Sequence, residues 1–94
     1  MKVDWSAPAI EDLKAVRAFV ARENPEAAHE TARMIIAAIE LLSVFPAAGR
    51  SGRVGGTREL VIAGTPYVVP YRIRDARVEV LRVIHSARKW PMKF

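Results

Sequence analysis

The sequence predicts an α+β fold in the order β-α-α-β-β-β, with an N-terminal helical hairpin packed on a small, mainly antiparallel sheet. Three observations carry this. Apolar residues recur at helical spacing over residues 8–44. Three later runs over 57–84 are rich in β-branched and aromatic residues, the composition that fits a pleated, half-buried surface. A glycine-rich stretch, 46–56, separates the two halves, so helices come in one run and strands in another. At 94 residues the chain reads as one domain, 1–94.

Each element follows from local pattern. In residues 2–5 polar and apolar residues alternate, with Val3 and Trp5 on one side of a short strand. Ser6 offers an N-cap hydroxyl and Pro8 suits a first helical turn. Ile10, Leu13, Val16 and Val20 then mark one face of a helix from Pro8 to Arg22. Glu11 and Asp12 near its start suit the positive end of the helix dipole. Asn24 caps a second helix that Pro25 opens. Its face is Ala28, Ala32, Ile35, Ile39 and Leu42, and it runs to about Val44. The link between the helices is short, so they form an antiparallel hairpin. Residues 46–56 hold four of the five glycines and the arginines Arg50 and Arg53, and read as a connecting loop. Strands are expected at Thr57–Ile62, Tyr67–Ile73 and Val78–Ile84, joined as a meander by short turns. Pro70 interrupts the middle strand, and a proline there needs an edge position or a bulge. The two helices should cover one sheet face and leave the other partly open. The tail after Ile84 is basic, and Pro91 stops further regular structure.

Composition excludes several function classes. There is no cysteine, hence no disulfide framework, thiol nucleophile or cysteine-ligated metal. The longest unbroken apolar run, Met34 to Ile39, is far below the ~20 residues of a membrane span. No leader pattern opens the chain, so a cytoplasmic location is expected. The net charge is +5. It is unevenly spread: residues 1–48 hold five bases and seven acids, whereas residues 49–94 hold ten bases and three acids. The C-terminal half should therefore attract an acidic partner, either nucleic acid or an acidic protein segment.

The residues that could carry chemistry are few. Two histidines, His29 and His85, without clustered acids predict no metal and no cofactor. The glycine-rich loop lacks the lysine of a phosphate-binding loop. Cleavage of RNA is the reaction the charge favours. It needs a base for the 2′-hydroxyl, an acid for the leaving oxygen and cations for the phosphorane. Candidate bases are Glu59, Glu79 and His85; candidate cations are Arg72, Arg82 and Arg88. Tyr67 and Tyr71 are candidates for stacking on bases, or for packing.

Six segments taken in order add a family likeness. They are Trp5-Ser6 with Ala9, Asp12 and Leu13; Asn24-Pro25 with Ala27 and Ala28; Gly49 to Val54; Gly56 to Leu60; Pro66 to Arg72; and Leu81 to Pro91. Together they resemble the RelE/ParE superfamily of bacterial toxins over nearly the whole chain. The resemblance implies a growth-arresting toxin of a type II toxin–antitoxin module. It also implies a cognate ParD- or RelB-like antitoxin, laid over the helices and the basic sheet face in a hetero-oligomer. RelE-like members cut messenger RNA in the ribosome; ParE-like members act on DNA gyrase. The RelE-like motif places cations on the second strand and after the tyrosine that opens the third. Here those positions hold Glu59, Val61 and Val68, and Phe94 stands where a C-terminal tyrosine would fall. The resemblance therefore leans to ParE, with an RNase built on Arg72, Arg82, His85 and Arg88 as the alternative. A nucleic-acid-binding module without toxicity is the third reading. Contacts to antitoxin or target are expected from Arg50, Arg53, Arg58, Arg72, Arg82, Arg88 and Trp90.

Overall fold

The computed structural model describes all 94 residues. Strand β1 (Lys2–Trp5) leads into helix α1 (Ala7–Ala21) and helix α2 (Pro25–Glu40), which a 3-10 turn at Leu41–Ser43 extends. The sheet continues with β2 (Arg50–Ser51), β3 (Arg58–Val61), β4 (Tyr67–Arg74), β5 (Arg77–Val80) and β6 (Ile84–His85).

Both helix starts are capped by the residues that the sequence offers. Ser6 Oγ accepts from the Ala9 N–H at 3.1 Å and donates to the Leu81 carbonyl at 2.9 Å, so one hydroxyl caps α1 and ties it to the sheet. Asn24 Oδ1 accepts from the N–H groups of Glu26 and Ala27, ahead of Pro25 in the first turn of α2. The buried face of α2 is the expected one, Ala28, Ala32, Ile35 and Ile39, continued by Leu42. On α1 the face is turned by one residue: Ala9 is fully buried, whereas Ile10 is 42% exposed. Leu13, Val16 and Val20 pack on the core as expected.

The strand order is β1-β5-β4-β3-β2. β1 lies parallel to β5, with Val3 beside Val78 and Trp5 beside Val80; all other pairings are antiparallel. The last expected strand, Val78–Ile84, is broken in two. Tyr71 pairs with Val80 and Val68 with Ile84, so Leu81, Arg82 and Val83 oppose only Val69 and Pro70. That is a β-bulge, and Pro70 explains its position. Proline has no N–H to donate to the neighbouring strand; its carbonyl still accepts from the Leu81 N–H at 3.0 Å. The bulge supplies an irregular neighbour where the ladder lacks a donor, and β4 can stay central.

Side chains alternate along β4. Tyr67, Val69 and Tyr71 face the helices. The first two join Ile35, Ile39, Val16, Val80 and Ile62 in the main core; Tyr71 joins Leu42 and Val78. Val68 and Pro70 point to the opposite face and are also buried. That face is thus more covered than expected. The loop 49–56 and the C-terminal tail meet there: the Arg53 guanidinium lies 3.7 Å from the centre of the Trp90 ring. The loop is also more ordered than a plain connector, since β2 pairs with β3. Gly49 lets it pass close to the core: a Cβ there would lie 2.6 Å from the Tyr71 ring. No helix is long and apolar enough to cross a membrane.

Candidate functional site

Most expected binding cations are used inside the fold. Arg50 and Arg53 both bind Glu59, each at 3.2 Å, and the Arg53 N–H bonds the same carboxylate at 2.8 Å. Burial pushes the Glu59 carboxyl up, but the Arg53 and Arg50 bonds together pull it further, to below the usual carboxylate range. Arg58 donates to the carbonyls of Ala47 and Gly49. Arg72 pairs with Glu79 across β4 and β5 at 2.6 Å, which holds the Glu79 carboxyl low. Arg77 pairs with Asp4 on β1. Arg82, in the bulge, binds Asp12 of α1 through Nε at 2.6 Å and Nη2 at 3.0 Å. Asp12 also accepts from the Val83 N–H at 3.0 Å. One carboxylate thus pins the bulge to α1 and raises the Arg82 pKa further. In the C-terminal half only Arg74, Arg88, Lys89 and Lys93 have neither a carboxylate nor a backbone carbonyl on their charge.

The four residues expected to serve an RNase do not converge. His85 and Arg88 meet at one cavity of about 140 Å3 between α1 and the β4–β6 end of the sheet. Arg82 touches its edge only through Asp12, which lines it. Arg72 lies on the opposite sheet face, with Glu79. The candidate bases Glu59 and Glu79 are likewise held in ion pairs.

The cavity itself has two kinds of wall. Ala15, Val16 and Phe19 of α1 and Val83 of the bulge form the apolar side. Tyr67, His85, Arg88 and the already paired Asp12 form the polar side. The Tyr67 and His85 rings meet edge to face, with centroids 5.5 Å apart. The His85 Nδ1 accepts from the Ala87 N–H at 3.1 Å. Burial pushes the Tyr67 hydroxyl up, and the positive charge of Arg88 offsets this only partly. No group of three or more His, Asp or Glu side chains is placed to hold a metal ion. Sequence reasoning paired His85 with Arg88 but missed Tyr67 as a cavity residue and α1 as the other wall. Asp12 read as a dipole partner, because nothing local links it to Arg82, 70 residues away.

Comparison with known proteins agrees with this architecture. The family model described as ParE toxin of type II toxin-antitoxin system, parDE, matches residues 3–90. Y4kP of Sinorhizobium fredii, which is named as a toxin, is 41% identical over 91 residues, 96% of this chain and 93% of that protein. Toxin RelE2 of Caulobacter vibrioides is 34% identical over 87 residues, 93% of this chain and 97% of that one. A solved structure titled as the chromosomal ParDE TA system from P. aeruginosa superposes with a TM-score of 0.81 at 27% identity. It covers 90% of this chain and 95% of its own. The chain is a toxin of the type II toxin–antitoxin class and belongs to the ParE toxin family.

Proposed function

We propose that this toxin arrests bacterial growth by binding DNA gyrase, and that a cognate ParD-like antitoxin neutralises it in a hetero-oligomer. The dispersal of the cations carries the choice of target. A phosphorane forming on RNA needs several positive groups aimed at one point. Here Arg72 and Arg82 sit on different parts of the sheet and are each neutralised by a carboxylate. Only His85 and Arg88 share a cavity. A protein that works by binding needs no convergent catalytic set. The ParE family match and the likeness to the chromosomal ParDE TA system from P. aeruginosa support an antitoxin as partner.

Induced expression in a bacterial host tests this reading. The expected result is growth arrest with accumulated gyrase–DNA breaks, intact transcripts and recovery on co-expression of a cognate antitoxin. Ribosome-dependent messenger cuts, weakened by Arg88→Ala or His85→Ala, would instead establish the RelE-like endoribonuclease. Normal growth with abundant folded protein, together with salt-dependent nucleic-acid binding, would establish the non-toxic module.

A further inference from the structure

The register lines up three cations on the sheet face away from the helices. Lys2 of β1 lies beside Arg77 of β5, and Arg77 lies beside Arg74 of β4. Val3, Trp5, Tyr71, Val78 and Val80 of the same strands pack into the core, so alternation turns all three cations outward. All three are exposed. Neighbouring strands lie ~4.8 Å apart, so the row runs ~10 Å straight across β1, β5 and β4.

Like charges directly opposite on paired strands repel, and the nearby acids relieve only the middle cation. Asp4 pairs with Arg77 at 2.9 Å, and Glu79, in the next row, pairs with Arg72. Lys2 and Arg74 have no carboxylate partner. Asp75, in the turn between Arg74 and Arg77, pairs with none of the three. The Glu79 carboxyl is held low first by its bond to Arg72 and then in part by the charge of Arg74, which sets Arg74 over the same face. The two rows hold Lys2, Arg77 and Arg74, then Asp4, Glu79 and Arg72, with no apolar side chain among them. A protein partner is held by buried aromatic and apolar anchors. A nucleic-acid backbone asks only for cations that meet its phosphates.

We propose that the Lys2–Arg77–Arg74 row binds the phosphate backbone of duplex DNA. Lys2 and Arg74 each take one phosphate, independently of base sequence, and Arg77 supports them from between. The choice of DNA as the phosphate carrier rests on the gyrase reading, since that target works on a duplex.

The test follows binding of the full chain to a short labelled DNA duplex by fluorescence anisotropy across a salt series. Each neutralised phosphate contributes ~0.9 to the slope of log K against log salt. Lys2→Gln with Arg74→Gln should therefore flatten that slope by about 2 and raise the dissociation constant at least about tenfold at low salt. Removing the same charge from the tail, by Lys89→Gln with Lys93→Gln, should flatten it by less than half as much. The row variant should melt no lower than wild type by circular dichroism, because it loses a repulsion and no ion pair. A row variant that melts well below wild type would show these charges used inside the fold and overturn the site. Equal losses from the two double variants reduce the row to net charge and overturn it too, as does a wild type that leaves the duplex unbound at low salt. Tighter binding of a single-stranded RNA through the same two cations overturns DNA as the occupant. Gyrase–DNA breaks made by a wild type that fails these binding tests leave the gyrase reading standing. No breaks from a wild type that binds the duplex through the row would remove the gyrase reading alone.

Discussion

Replacing Glu59 with Gln tests whether one buried carboxylate holds the loop between β2 and β3. The Glu59 side chain is 3% exposed, while those of Arg50 and Arg53 are 57% and 48% exposed. Its Oε2 accepts from the Arg53 N–H and Nε; its Oε1 accepts from Arg50 Nη2 and, at 3.4 Å, from Arg53 Nη2. Glutamine keeps the shape but loses the charge and turns one acceptor into an NH2 that faces a guanidinium. A hydrogen bond to a charged group contributes ~1.5–3 kcal/mol net. Orphaning a buried charge would cost ~3–5 kcal/mol, but the half-exposed arginines can turn to water instead. The expected loss is therefore about 1.5–2.5 kcal/mol, or roughly 6–20 °C in Tm for a domain of this size.

The pH dependence has a definite sign. The folded carboxyl titrates below its usual value. Its contribution is then complete above the unfolded value, ~4.3, and is lost as pH falls through the folded one. Glutamine never had it. Thermal melts followed by circular dichroism should show the gap between wild type and variant narrowing on acidification from pH 7. A gap under about 2 °C at pH 7 would be too small for one charge-assisted bond and would refute the reasoning, as would a gap that widens in acid.

Two further outcomes follow from single contacts. Tyr71 is fully buried; its hydroxyl donates to the Pro46 carbonyl at 2.7 Å and accepts from the Gly49 N–H at 2.8 Å. Tyr71→Phe leaves both groups without a partner, so a loss of about 1–3 kcal/mol is expected in urea unfolding, with faster hydrogen exchange at Gly49. In the β4–β5 hairpin, Asp75 and Ala76 both have positive φ, 53° and 57°. A two-residue turn of this kind favours glycine at its second position. Ala76→Gly relieves a left-handed alanine (~1–2 kcal/mol) against the entropy of glycine (~0.5–1 kcal/mol). The urea midpoint should rise by the equivalent of about 0.5–1 kcal/mol at unchanged slope; a fall would show that the turn holds no strain.

What the chain states locally was legible. Asn24-Pro25 fixed the start of α2, and the spacing of Ala28, Ala32, Ile35 and Ile39 fixed its buried face, because a cap and a helical period are readable within one or two turns. Pro70 announced a defect in its strand, since a missing N–H is a property of the residue itself. The family likeness was also carried by short segments in order. Other features depended on what folding brings together. Nothing near Pro70 says whether the strand moves to the edge or its neighbour bulges; the pairing with Leu81–Val83 decided that. The sequence reads residues 49–94 as ten bases facing three acids. Tertiary structure alone shows Arg50 and Arg53 spent on Glu59, Arg72 on Glu79, and Arg82 on an aspartate from the acidic half. The reason is physical: a charge is cheap to count along a chain, but its free energy depends on the group within 4 Å of it, and that neighbour is chosen by the fold. By itself the sequence determined a small basic toxin domain; the structure decided which of its cations remain to meet a partner, and set Arg88 beside His85 and Tyr67 against an apolar wall of α1.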